Sequence, residues 1–167
     1  ATLERFPAAG VLGFGVGGAY PGSDLGVGDI ALATSQHYGD EGVQTPDGWM
    51  TCEGIGIPLL ETDGTRYFND FPVDRKALGS VAAALGAVVT GPFVTVSCCS
   101  GTSAAGLRLR DRFQAVCETM EGAAYAHIAA AYGVGYLELR GISNIVEDRD
   151  LSRWRLPAAA AAAAAAI

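Results

Sequence analysis

Positive charge is scarce in this sequence: eleven lysines and arginines face eighteen aspartates and glutamates, a formal charge of −7 with both histidines neutral. The arginines are scattered, so no basic stripe exists to follow a phosphate backbone, and nucleic acid is not an expected partner. Long apolar runs are also missing. Nothing reads as a membrane span, and the opening ATLERFPAAG lacks the basic-then-apolar layout of a secretion signal. The expectation is therefore no membrane contact and a cytoplasmic address. The four cysteines, at 52, 98, 99 and 117, form no CxxC pair and have no histidine at ligand spacing. The adjacent pair suits neither zinc nor an ordinary disulfide, so four buried thiols are expected, with no metal and no organic cofactor.

What the chain does hold is apolar residues, at half of its 167 positions, and 23 glycines, with only 17% charged. That composition folds, and this length suits one domain burying roughly 70% of its unfolded surface. Val11 to Val16 and Ile30 to Thr34 read as short strands, each beside glycine-dense loops. His37 to Asp70 is loop-like, broken by Pro46-Asp47-Gly48, Pro58 and Asp63-Gly64. Asp74 to Leu85, Ser103 to Phe113 and Thr119 to Tyr132 predict helices. Ala87 to Ser97 and Gly135 to Ile142 predict strands. This alternation implies an α/β layered domain with a parallel or mixed sheet. The opening residues read as the end of a helix entering a strand, as though an earlier part of the domain preceded them, and Ala158 to Ala166 is an unbroken alanine run.

Three clusters are candidates for chemistry. Glu118 and Glu121 head a predicted helix of small apolar residues. A carboxylate there can simply serve the helix N-terminus. The alternative is a pocket rim, with Gly122, Ala123 and Ala124 leaving room beside Glu121 for a vicinal diol such as ribose, which a carboxylate can hold through two hydrogen bonds. In the second cluster, Arg140-Gly141-Ile142-Ser143-Asn144, an apolar strand ends in polar groups, where α/β sheets bind ligands. Asn144 is placed either to read a ligand or to cap the next turn. The third is Gly13-Phe14-Gly15-Val16-Gly17-Gly18, which superficially matches a dinucleotide fingerprint, but the following AYPGSDLGVGD cannot open a helix, so that reading is rejected. His127 reads as a core residue and His37 shows no partner, so neither builds a nucleophilic triad. Glu147 to Asp150 alternates in sign and reads as a solvated turn.

At these residues the chain resembles the nucleoside phosphorylase and nucleosidase family, and within it the futalosine hydrolases. The carriers are GVGGAYPGSDLGVGDIAL, ETMEGAAYAH and LRGISNIVEDRD, in family order across residues 11 to 150. The resemblance implies a three-layer αβα fold with a central mixed sheet. It implies that Glu121 holds the ribose hydroxyls, Met120 packs on the sugar and Asn144 contacts the purine. Val16, Gly17, Thr119 and Ser143 would lie around the nucleoside, and Cys98 and Cys99 beside the base. Adenine-releasing relatives carry aspartate where Asn144 stands. An amide there suits a 6-oxo group and a protonated N7, so hypoxanthine is the expected leaving base. The family's phosphate-binding arginine is missing before Gly13, which makes water the expected nucleophile. The family's water-activating acid lies upstream of everything matched, so the general base is unassigned. The expectation is a cofactor-free nucleosidase acting on futalosine in menaquinone biosynthesis, with a homo-oligomeric, preferably dimeric, assembly through the Tyr20 and Trp49 regions. The alternatives are a methylthioadenosine or adenosylhomocysteine nucleosidase and a non-catalytic nucleoside-binding domain.

Overall fold

Alternating apolar and small residues give this chain more strand than helix. The computed structural model describes residues 2–167. Helix α1 (Thr2–Arg5) leads into strands β1 (Val11–Ala19) and β2 (Ile30–Tyr38). Two hairpins follow, β3 (Val43–Thr45) with β4 (Gly48–Met50) and β5 (Leu60–Thr62) with β6 (Thr65–Tyr67), and then β7 (Asp70–Pro72). The remainder alternates: α2 (Arg75–Leu85), β8 (Val89–Thr95), α3 (Ser103–Phe113), β9 (Cys117–Thr119), α4 (Gly122–Ala131) and β10 (Tyr136–Ile145). A 3₁₀ turn at Leu151–Arg153 precedes α5 (Leu156–Ala165).

Local chemistry sets several of these bounds. Asp74 accepts hydrogen bonds from the Lys76 and Ala77 amides and starts α2, while Thr102 does the same for α3 through the Ala105 amide. Gln114, in the left-handed region at φ 50°, stops α3.

The main sheet runs β10-β1-β9-β8-β2-β7 and is mixed, as expected of this α/β fold. Strand β1 runs parallel to β10, and β8 parallel to both β2 and β9. Strand β10 also pairs antiparallel with β2, Leu139 opposite Leu32, so the sheet curls until these two strands meet. Helices cover both faces. Ala126 and Ala129 of α4 bury against Ala31, Ala33, Phe93 and Ile142. On the opposite face Leu32 and Leu139 are covered by α2 and by Ala163 of α5, as the two-residue alternation of strand side chains requires. Strand β10 is buried from Tyr136 through Ser143, so the charged Glu138 and Arg140 are buried with its apolar residues.

The structure corrects several sequence expectations. Cys117–Thr119 is a strand rather than the approach to a helix, because pairing with β8 and β1 outweighs its weak local preference. The supposed loop from His37 to Asp70 contains two hairpins. Strand β10 runs on to Ile145, so Asn144 sits inside it. Cys52 and Cys117 are buried, but Cys98 and Cys99 are exposed, since they occupy the loop after β8. Tyr20 is buried, so its side chain offers no contact surface, while Trp49 is half-buried under Arg112, whose guanidinium is 4.1 Å from the indole. Among the described residues, no helix is long and apolar enough to cross a membrane.

Candidate active site

Where β1, β9 and β10 converge, one cavity opens beside the start of α4. Of the residues expected around a nucleoside, Val16, Gly17, Thr119 and Ser143 line it, as do Cys99 and Met120. Glu121 and Asn144 line it as well, so the two residues with the sharpest expectations share one space. Cys98 is not part of the lining.

Strand pairing builds the far wall. β1 and β10 keep register from Val11 opposite Tyr136 to Gly17 opposite Ile142, then slip so that Gly18 faces Asn144. Such a bulge re-aims the side chains around it. A Cβ on Gly18 would approach Val146 Cγ2 to 2.9 Å and Asn144 Nδ2 to 3.2 Å, so glycine there leaves the space that the amide occupies. Ser143 Oγ donates to Asn144 Oδ1 at 2.8 Å, and Asn144 Nδ2 donates to the Ile145 carbonyl at 3.1 Å. One N–H and one lone pair of the amide remain for a ligand.

Glu121 occupies the N-cap position of α4 but makes no capping hydrogen bond. The Ala123 amide is met instead by Thr95 Oγ1 at 2.8 Å. That decides between the two readings of this residue's position: the helix start is satisfied from β8, and the Glu121 carboxylate, 48% exposed, turns to Arg140 Nη2 at 3.1 Å. Gly122 and Ala123 do not widen the cavity as expected, because Glu138 and Gln36 fill the room beside Gly122.

Three further charged groups shape the site. Arg140, buried in β10, sends Nε to Glu138, Nη1 to the Val16 carbonyl and Nη2 to Glu121. Burial opposes its charge, but the Glu138 and Glu121 carboxylates outweigh that and hold the guanidinium above its ordinary range. Glu118 accepts from the Ser100 amide at 2.9 Å, from Ser100 Oγ at 2.6 Å and from Tyr20 at 3.1 Å, which ties the loop after β8 to the cavity wall. Burial, reinforced by Glu118, pushes the Tyr20 phenol far up, so it stays a donor. Arg149 also lines the cavity, with its guanidinium 4.9 Å from the Trp154 ring, so the acidic turn is not merely solvated.

Sequence reasoning placed Arg140 in a cluster without giving it a role, and it found no cation near the glycines of β1. The register corrects this, since Arg140 stands opposite Gly15. Its charge is nevertheless committed to two carboxylates, which leaves an incoming phosphate dianion little to gain. One signal was available: Tyr136, Glu138 and Arg140 are spaced by two, on one face of an otherwise apolar strand. The histidines lie elsewhere. His127 stacks on Phe71 at 4.6 Å, and His37, expected to be unpartnered, bonds Ser35 Oγ at 2.8 Å.

Known proteins resemble this chain in sequence and in fold. The Phosphorylase superfamily profile matches residues 1–167. A futalosine hydrolase of Thermus thermophilus is 37% identical over 170 residues, covering all of this chain and 71% of that protein. A futalosine hydrolase of Streptomyces coelicolor is 34% identical, covering 99% of the chain and 66% of that protein. One from Acidothermus cellulolyticus is 39% identical, over 80% of the chain and 53% of its own length. Among solved structures, the S-adenosylhomocysteine nucleosidase of Streptococcus pyogenes in complex with 5-methylthiotubericidin superposes with a TM-score of 0.79 at 19% identity, over 98% of this chain and 67% of that one. The 5′-methylthioadenosine/S-adenosylhomocysteine nucleosidase of Neisseria meningitidis does so with a TM-score of 0.76 at 21% identity, over 98% and 69%. At such identities the likeness is one of fold.

Proposed function

The chain belongs to the phosphorylase superfamily, and from that premise we propose that it is an N-glycosidic hydrolase that cleaves a 6-oxopurine nucleoside, futalosine foremost, in menaquinone biosynthesis. The observation that carries the reading is the convergence of Glu121 and Asn144 on one cavity, with Glu121 released from helix capping.

In this reading Glu121 accepts both ribose hydroxyls and Met120 packs on the sugar. Val16, Gly17 and Thr119 border the ribose, and Ser143 orients Asn144. Cys99 and Ser100 lie toward the base. Asn144 donates its free N–H to the 6-oxo group, which strengthens as negative charge moves onto the purine, and its carbonyl accepts from N7 once that nitrogen has taken a proton from solvent. Positive charge left on the ribosyl ring faces the Glu121 carboxylate. Water is the nucleophile, because Arg140 is already held by Glu138 and Glu121. The reading includes a cytoplasmic setting and a homodimer, for which the exposed Tyr125 and Ile128 of α4 and Tyr132 just after it offer an apolar face.

Incubation with futalosine, with and without phosphate, and chromatography for free base tests the reading. Hypoxanthine release independent of phosphate is expected. Adenine-only activity, phosphate dependence, or binding without turnover would each overturn it. Glu121→Gln, which removes the charge that clamps the diol, should lower kcat/KM by about 10²-fold.

A further inference from the structure

The carboxylate of Glu138 is fully buried, in the middle of β10, and it does not line the cavity. A charge in such a place is costly and would be cheaper as an aliphatic side chain unless its partners need it. Its partners are specific. Oε2 accepts from Tyr136 Oη at 2.7 Å and from Gln36 Nε2 at 2.6 Å, and Oε1 accepts from Arg140 Nε. Gln36 donates to it even though its own Oε1 then finds no hydrogen-bond partner among the described residues. A Cβ on Gly122 would overlap both Glu138 Oε2 and Gln36 Oε1, so α4 can begin where it does only because that position is glycine. Strands β2 and β10 and the first turn of α4 are thus arranged around this one carboxylate.

We propose that Glu138 is a positioning residue of the hydrolytic site, acting through Arg140 on Glu121. This rests on the nucleosidase reading above. The guanidinium is a rigid fork. With Nε held by Glu138 and Nη1 by the Val16 carbonyl, Nη2 has one direction left, toward Glu121. The second consequence is electrostatic. Arg140 and Glu121 alone would be a neutral pair beside the sugar. Glu138 offsets the guanidinium charge, so the Glu121 carboxylate presents its own negative charge to the ribosyl ring undiminished, an effect that exists only while Arg140 stands between them. That matters most once the glycosidic bond is stretched and the ring is cationic, and little in the ground state.

The expected signature is a loss in kcat with KM nearly unchanged. Glu138→Gln keeps the size but removes the charge and turns one acceptor oxygen into a donor. With futalosine it should lower kcat about 10- to 100-fold, with KM within about threefold, at a wild-type fraction of folded protein measured by near-UV circular dichroism. Because the effect passes through Arg140, Glu138→Gln added to Arg140→Met should cost no more than Arg140→Met alone. Glu138→Asp keeps the charge but withdraws it by one methylene, which makes it the safer variant to fold, and it should show the same split at smaller size. Wild-type kcat in folded E138Q or E138D, or full additivity with Arg140→Met, overturns the positioning role while leaving the nucleosidase reading intact. Wild-type protein that releases no base from futalosine overturns both.

Discussion

Asn144 has two hydrogen-bonding atoms, and each is half used by the protein itself, Oδ1 by Ser143 and Nδ2 by the Ile145 carbonyl. What remains, one donor and one acceptor, matches a 6-oxopurine protonated at N7 and mismatches a 6-aminopurine protonated there, whose ring nitrogen and exocyclic group are both donors. Asn144→Asp replaces the donor by an acceptor. Hypoxanthine release should fall by about 10²-fold, and the ratio of kcat/KM for an adenine nucleoside over its hypoxanthine counterpart should rise. Competition between the two nucleosides in one vessel, with both free bases separated by chromatography, reads that ratio directly, and an unchanged ratio would remove Asn144 as the reader. Glu121 and Asn144 were legible in the sequence because one heads a recognisable helix and the other lies in the polar stretch that follows a recognisable apolar one. Glu118, Glu138 and Arg140 were not, because nothing local tells a buried, paired charge from a solvated one.

At the scale of elements, the helix beginning at Asp74 was legible, though its cap was not singled out. Asp74 heads α2 as expected, accepting from Lys76 at 2.9 Å and Ala77 at 3.0 Å. Asp74→Ala should cost about 1 kcal/mol, which for a domain of this size lowers Tm by about 2–4 °C. Calorimetry checks it, and an unchanged Tm would mean that packing alone holds this helix start. β9 was the hardest element to foresee. Three residues long, it exists because β8 and β1 flank it, and its Thr119 hydroxyl meets Thr95 Oγ1 at 3.1 Å. The same Thr95 hydroxyl holds the Ala123 amide and so frees Glu121 from capping. The role of a residue in the site therefore depends on a threonine 26 positions away, which no helix-start rule would reveal.

For the whole molecule, the two histidines set a pH dependence. Burial lowers the pKa of His127, and burial lowers that of His37 despite the opposing Asp70 charge. An imidazole whose folded pKa lies below its unfolded value binds fewer protons folded than unfolded in mild acid, so its contribution is fully present above the unfolded value of about 6.5 and is lost as pH falls through the folded one. Tm should be level between pH 8 and pH 7 and decline below about 6.5, and His37→Gln should flatten that decline. A Tm constant down to pH 5 in the wild type would show that these rings are solvated.

The sequence by itself determined the α/β class, the helices at Ser103–Phe113 and after Asp74, and the identity of the two groups that face the cavity, because period, caps and short motifs are properties of neighbours along the chain. Tertiary structure alone decided what surrounds those groups. Arg140 stands beside the glycines of β1 because β10 pairs with that strand in a register placing it opposite Gly15, and Glu121 is free of its helix because Thr95 of β8 reaches the helix start. Register between strands more than a hundred residues apart is chosen by burying many side chains at once, a collective sum that no local stretch of sequence records.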